Sequence, residues 1–316
     1  MKDGNVLVTS ISSKVPLIKA IKKAAHKINP LIKVIGADLH SNCIARYFVD
    51  RFWQMPRLDD IKIDQLIQYC LKNKIIHIIP TRDGELKFFA EHKKKLKEDG
   101  IYVMVPNNKS VEMCNDKYLF YKKLSVLANP VITTKTAIDQ IKSLKFVVKE
   151  RFGAGSQNIG LGLSSEEAFH HAKKLEYPIF QPYIDGFEVS VDFYVTKEGE
   201  VKGIITRKRE MIVNGESQIT TTFRDDHLER LCEKAANDLQ LYGHNVMQWI
   251  IDLNGDYHMI ECNSRFGGAS TLSVAAGLDS LYWFLLEARG KDLKDYPFIR
   301  EKHEIKLVRY AEDLIL

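Results

Sequence analysis

Apolar positions near the start of the chain change period several times. Val6, Leu7 and Val8 form a short unbroken apolar run and predict a buried strand. Val15, Leu17, Ile18, Ile21, Ala24, Ala25 and Ile28 then recur at helical spacing, so an amphipathic helix follows. Residues 33–37 read as a second strand. Residues 61–71 return to helical periodicity, and 75–79 form a strand closed by Pro80. A helix over 84–97 stops at Gly100, and a strand over 101–105 stops at Pro106. This alternation predicts an α/β lobe with a doubly wound, mostly parallel sheet over residues 1–110. Its first strand-to-helix turn, residues 9–13, lacks G-x-G-x-x-G, so the sequence supports no dinucleotide site there.

Beyond residue 110 the pattern turns to hairpins mixed with helices, an α+β region over 111–316. Phe146, Val147 and Val148 lead into Lys149, and a glycine-rich stretch, 153–160, follows. Glycines let backbone N–H groups approach phosphate oxygens, and a lysine at the strand end can reach the same oxygens. Alone, this stretch reads first as a plain hairpin loop with a surface lysine, because glycine-rich loops are common. Further on, a turn at Asp185 and Gly186 starts a strand that sets Glu188, Ser190 and Asp192 on one face. A turn at Glu198 and Gly199 brings in the next strand, residues 201–209. Counting outward pairs Ser190 with Arg207 and Glu188 with Arg209. That face suits either ribose and phosphates or a solvent-exposed ion pair.

The strongest pattern spans 246–265. Asn254 and Gly255 predict a two-residue hairpin turn. Counting outward pairs Ile250 with Met259 and Gln248 with Glu261, with Asn263 following on the same face. The opposite face then carries Met247, Trp249, Ile251, His258, Ile260 and Cys262. Three oxygen-bearing side chains over an apolar back are what a hard cation such as Mg²⁺ requires, with phosphates and waters completing its shell. A hydrogen-bonded polar cluster on an exposed sheet has the same pattern.

Composition narrows the field. With 46 Lys+Arg against 41 Asp+Glu, the net charge of +5 is too small for 316 residues to argue for nucleic acid. Five widely spaced cysteines without a C-x-x-C pair disfavour disulfides and structural zinc. No apolar stretch approaches a membrane span, and the first residues lack a signal peptide's apolar core. A cytoplasmic location is the expectation.

In order, these motifs resemble the ATP-grasp superfamily, particularly the synthetase halves of carbamoyl-phosphate synthetase large subunits and their single-copy relatives. Residues 260–265 fit the metal-binding I-E-x-N-x-R pattern, and Gln248 stands where many of these ligases have aspartate. The resemblance covers the whole chain and implies a two-subdomain grasp module, about 111–184 and 185–316, that uses ATP and Mg²⁺, with Mn²⁺ able to substitute. It implies phosphate contacts from Lys117 and Lys149 and a closing loop that includes Gly153, Gly155, Ser156 and Gln157. It further implies an adenine-reading hinge at Gln181, Tyr183 and Ile184, a ribose contact at Glu188, and metal ligands Gln248, Glu261 and Asn263. Arg265 would stabilise the transferring phosphoryl group, with Arg207 and Arg209 as further catalytic cations, and residues 214–217 would form a substrate-side loop. Gln181 and Pro182 depart from the usual glutamate hinge. The implied activity is ADP-forming ligation of a small-molecule carboxylate to an amine, without nucleic acid or membrane partners and compatible with a homodimer. A bicarbonate- or carbamate-activating enzyme and a non-catalytic nucleotide-binding module are the alternatives. One grasp unit without a glutaminase segment argues against complete carbamoyl phosphate synthesis.

Overall fold

The computed structural model describes residues 4–153 and 158–316. The first third is built from β1 (Asn5–Val8), α1 (Val15–Ile28), β2 (Val34–Asp38), β3 (Arg51–Gln54), α2 (Ile63–Lys72), β4 (Ile75–Ile79), α3 (Asp83–Glu98) and β5 (Tyr102–Val103). The five strands form one sheet in the order β3-β2-β1-β4-β5, every pair parallel. Alternation along β1 explains the layers. Val6 and Val8 face a core containing Ile18 and Ile21 of α1, while Leu7 faces a core containing Leu66 of α2 and Phe89 of α3. The expected doubly wound parallel sheet is thus present. Two details differ from expectation. The strand at 101–105 shortens to two residues, although Ile101 and Val105 stay fully buried. The edge strand β3 gave no periodic signal, because only one of its sides is paired and Arg51 and Gln54 are exposed.

The chain continues through α4 (Asn108–Asn115) and α5 (Lys117–Val126) into a small antiparallel sheet. That sheet consists of β6 (Phe146–Glu150), β7 (Gly160–Leu163) and β8 (Pro178–Pro182), in the order β7-β6-β8, with α6 (Ser165–Ala172) packed against it. A six-stranded sheet follows, made of β9 (Gly186–Val195), β10 (Val201–Val213), β11 (Glu216–Phe223), β12 (Gly243–Asp252), β13 (Tyr257–Asn263) and β14 (Lys306–Val308). Its order is β13-β12-β9-β10-β11-β14. One face of this sheet (Val189, Val191, Met247, Trp249, Met259 and Cys262) is buried against Phe120 of α5 and Leu228 and Cys232 of α7 (Asp226–Asp238). The other face is left for the cleft and for α8 (Ser270–Ala275). The last long helix, α9 (Ser280–Ala288), joins the two halves, since its Leu281, Phe284 and Leu285 share the α1 core. Among the described residues no helix is long and apolar enough to cross a membrane, and all five cysteines are free.

The β12–β13 hairpin corrects the expected register. Gly255 donates its N–H to Asp252 O (3.0 Å) and has φ +87°, so Asn254 and Gly255 belong to a three-residue connection and not to a two-residue turn. The Asp252 carboxylate holds this turn by accepting from Asn254 N and Asp256 N, both at 2.9 Å. Ile250 consequently pairs with His258, and Trp249, not Ile250, pairs with Met259. A bulge at Ile260 then restores the count, so Gln248 does pair with Glu261. The predicted faces change with it. Met259 enters the core, Ile260 turns to the cleft, and His258 binds Asp252 through Nε2 (2.9 Å).

Candidate active site

Four strands bring the polar row together. Glu261, Gln248, Ser190 and Arg207 are successive cross-strand neighbours on β13, β12, β9 and β10. Asn263 lies two residues beyond Glu261 and donates its Nδ2 to Glu261 Oε1 (3.2 Å). These are amide and carboxylate oxygens, a donor set that fits a hard cation. Among the described residues no three His, Cys, Asp or Glu side chains cluster as metal ligands, so a cation here would need ligand phosphates to complete its shell.

The small sheet forms the opposite wall of a cleft of about 320 Å³. Alternation on β6 buries Phe146 and Val148 behind it and turns Val147 and Lys149 into it. Lys117 enters from the first turn of α5. That helix starts where it does because the Asp116 carboxylate accepts from Tyr118 N and Leu119 N (3.0 Å each) and grips Arg151 through its Nε (2.7 Å) and Nη2. Lys117 Nζ donates to Gly153 O at 2.7 Å. The connection between the walls runs through Tyr183 and Ile184 to Gly186. A Cβ on Gly186 would sit 2.2 Å from Ile251 O, so only glycine lets the two segments approach this closely.

The charges are mutually supporting. Burial opposes ionisation of Glu261, but Lys149, Lys117, the Asn263 amide and Arg265 outweigh it and hold the carboxyl below its ordinary value. Burial pushes the Lys149 ammonium down to about 8, with Glu261 working against that shift and Lys117 adding to it.

Of the residues expected at the site, Lys117, Lys149, Gly153, Gln181, Tyr183, Ile184, Glu188, Arg209, Gln248 and Glu261 all line this cleft. Arg209 is anchored there by Glu188, by Ser217 Oγ (3.1 Å) and by Gly215 O (2.6 Å). Gln181 is buried and donates to Thr134 Oγ1 (2.8 Å). Gly155, Ser156 and Gln157 lie outside the described residues. Arg207 and Arg265 are placed differently. Arg207, at the far end of the polar row, is 2% exposed and gives its Nε to Asp192 Oδ2 (2.6 Å), outside the cleft lining. Arg265 lies beyond Asn263 and makes a two-pronged ion pair with Asp83 at the start of α3, its Nε 2.8 Å from Oδ1. Residues 214–217 form the tip of the β10–β11 hairpin, where Asn214 and Gly215 both have positive φ. Sequence reasoning did not single out the apolar walls: Ile132, Val147, Leu161, Ile250 and Ile260. Val147 and Ile250 were detectable by parity, each two residues from a named polar partner. Ile260 was hidden by the bulge.

This architecture is that of an ATP-grasp protein: a parallel α/β lobe, then a cleft between a small antiparallel sheet and a large one. Two family profiles agree, "PylC-like, N-terminal domain" over residues 6–104 and "ATP-grasp in the biosynthetic pathway with Ter operon" over 174–311. The chain thus has the ATP-grasp fold, and residues 174–311 match an ATP-grasp family profile. A curated relative, the 2-oxoglutarate carboxylase small subunit of Hydrogenobacter thermophilus, is 25% identical over 234 residues. The match takes in 65% of this chain and spans half the length of that relative. The biotin carboxylase domain dimer of the same organism's 2-oxoglutarate carboxylase, solved with MgADP, ADP and bicarbonate, superposes with a TM-score of 0.75 at 18% identity. The superposition covers 97% of this chain and 74% of that one. N5-carboxyaminoimidazole synthetase from Staphylococcus aureus with ADP gives 0.72 at 19%, covering 92% and 78%. L-amino acid ligase from Bacillus licheniformis gives 0.67 at 17%, covering 91% and 75%. At these identities the superpositions establish a shared fold.

Proposed function

We propose that the chain is an ADP-forming ligase that uses Mg-ATP to activate a carboxylate as an acyl phosphate for attack by an amine. The observation that carries this reading is the cleft itself. Glu261 and Gln248 on one wall face Lys149 and Lys117 on the other, with apolar Val147, Ile250 and Ile260 alongside. In this reading the apolar walls hold the adenine, Glu188 meets the ribose, and the two lysines neutralise phosphate oxygens. Glu261, Gln248 and Asn263 hold Mg²⁺, which when bound supplies Lewis-acid charge stabilisation to the phosphates. Arg265, fixed by Asp83, offsets charge on the group in transfer. Mn²⁺ is expected to replace Mg²⁺, and a homodimer is the proposed assembly.

Incubation with Mg-ATP and a panel of acid and amine pairs should release ADP only with a specific pair. Hydroxylamine in place of the amine should yield a hydroxamate. Product formation without any hydroxamate would rule out a free acyl phosphate. A second reading, bicarbonate or carbamate activation, draws on the MgADP- and bicarbonate-bound structure with the same fold. ADP release that needs bicarbonate but no other acid would select it.

Lys149 supplies a pH test. Its ammonium is charged below about 8 and loses its proton above that value in the ligand-free protein. Affinity for a non-hydrolysable ATP analogue should therefore fall as pH rises through about 8. Lys149→Met should weaken binding roughly tenfold or more, about 1.4 kcal/mol, and flatten this pH dependence. Calorimetric titrations across the range would show both. A wild-type affinity unchanged between neutral and alkaline pH would remove Lys149 from the phosphate site.

A further inference from the structure

A second pocket, of about 500 Å³ against about 320 Å³ for the cleft, lies where three parts of the chain meet. Lys93 and Lys97 of α3 and Tyr102 of β5 reach it from the α/β lobe. Lys197 and Glu198 enter from the β9–β10 turn, Tyr242 from the segment after α7, and Glu287 from the end of α9. Among the described residues none lines both this pocket and the cleft. The two are remote along β9. Glu188 lines the cleft and Tyr194 bonds Glu287, and they stand about 20 Å apart at roughly 3.3 Å per residue.

The pocket's acids are spent and its bases are not. Glu287 accepts from Tyr194 OH (2.5 Å) and from Lys197 N (2.9 Å), and burial pushes its pKa up. Glu198 is exposed at the rim, 3.7 Å from Lys197 Nζ. Lys93 has no carboxylate in ion-pair contact among the described residues. Its ammonium donates to Val105 O (2.5 Å) and sits 4.1 Å from the centre of the Tyr242 ring, which leaves further N–H groups for an outside acceptor. Lys97, one helical turn on, faces the same space, and like charges at that spacing repel. Burial first, and then Lys97, bring the Lys93 ammonium down to about 8, against the pull of Glu287. Buried cations elsewhere meet a carboxylate, as Arg207 meets Asp192 and Arg300 meets Glu229. Lys117 and Lys149 of the cleft, like Lys93, make no such ion pair among the described residues, and they are the lysines assigned to phosphate.

We propose that this pocket is a second ligand site, apart from the nucleotide cleft, and takes a phosphate monoester carried on a ring-bearing body. The phosphate carries a charge of about −1.5 to −2 at neutral pH. It lies between Lys93 and Lys97 and offsets their repulsion. The ring packs on Tyr102 and on the buried Ile101 and Leu241. A monocarboxylate would leave one ammonium unmatched, and a cation would meet only the committed Glu287 and the rim Glu198. An occupant touches α3, the β9–β10 turn and α9 at once, so it ties the α/β lobe to the large sheet. Recognition of the monoester is a property of these residues and does not depend on the ligase reading.

The test is calorimetry on the full chain with the cleft saturated by Mg²⁺ and a non-hydrolysable ATP analogue. The probes are the nucleoside 5′-monophosphates, phenyl phosphate and inorganic phosphate. At least one ring-bearing monoester should bind. Its dephosphorylated parent and inorganic phosphate should each bind roughly tenfold or more weakly. Lys97→Gln, a change at an exposed side chain, should weaken that monoester by a similar factor and leave the analogue's affinity unchanged. Lys93→Met should do the same, with melting curves to verify its fold. No monoester binding to the saturated protein, equal binding of the dephosphorylated parent, or unchanged binding by both lysine variants would each overturn the proposal, and the ligase reading would stand. Failure of the analogue to bind wild-type protein would instead sink the ligase reading, and the two lysine variants would still decide whether a bound monoester occupies this pocket.

Discussion

Replacing Glu261 with glutamine should reduce turnover about a hundredfold or more and leave the melting temperature nearly unchanged. The side chain keeps its length and an oxygen for the Asn263 amide at 3.2 Å. What it loses is the negative charge that Lys149, Lys117 and Arg265 stabilise. Under the proposed assignment that charge helps to hold Mg²⁺ on the triphosphate, and the loss of one preorganised electrostatic group typically costs a factor of a hundred to a thousand. The requirement for Mg²⁺ should rise in parallel. Folding should change little, and any shift should be a small loss, because the surrounding cations outweigh burial and favour the ionised carboxyl. Steady-state ADP release against Mg²⁺ concentration, alongside melting curves, reads both effects. Near-normal turnover at ordinary Mg²⁺ would end the metal assignment and leave the hairpin as a polar sheet face.

The largest stability effect is expected one row away, at Asp192. Its carboxylate is fully buried and accepts from Arg207 Nε (2.6 Å), from Ser270 Oγ and from His244 Nε2 (3.2 Å). His244 stacks on Phe266 at 3.8 Å and reaches Ser280 Oγ (2.9 Å), so this network ties the large sheet to α8 and α9. Asp192→Asn would leave the Arg207 guanidinium buried without its counter-charge, which costs about 3–5 kcal/mol. For a chain of this size that corresponds to a fall in melting temperature on the order of 10 °C. The sign of the pH effect follows from the carboxyl's shift. Burial favours the neutral acid, but Arg207 and His244 reverse this and hold Asp192 well below the usual carboxylate range. Its contribution is complete above about pH 4, the unfolded value, and erodes as pH falls toward the folded one. Wild-type protein should thus lose stability below about pH 4 more steeply than the asparagine variant. Parallel acid slopes in the two proteins would contradict the role given to this carboxylate.

Arg207 also marks how far the sequence could be read. Parity correctly placed it opposite Ser190 on the face that carries the polar row, because strand alternation is a local rule. Whether that face meets ligand or protein at a given point depends on what covers it. Ser270 and Phe266, about sixty residues downstream on another element, decide the matter for Arg207 by enclosing its partner network. The same distance hid the Asp83–Arg265 ion pair, whose members are 182 residues apart. The parallel lobe was legible because its helices and strands each bury a periodic face. The strand β3, with little to bury, was not. Glycine and asparagine marked the hairpin tip correctly, but the two-residue connection read from them is a three-residue one, since both geometries use a positive φ at glycine.

The bulge at Ile260 has a practical consequence for protein engineering. In a regular strand consecutive residues look in opposite directions, yet Ile260 and Glu261 both line the cleft. The extra residue thus allows neighbouring codons to serve the apolar and the ionic part of one bound molecule. Substitution at 260 changes the size or polarity of that contact and leaves the bulge in place. Deleting the residue would straighten the ladder, withdraw the contact and leave Glu261 opposite Gln248. Under the proposed assignment, length variation at this position is a lever, besides residue identity, with which to separate recognition of a base from recognition of its phosphates.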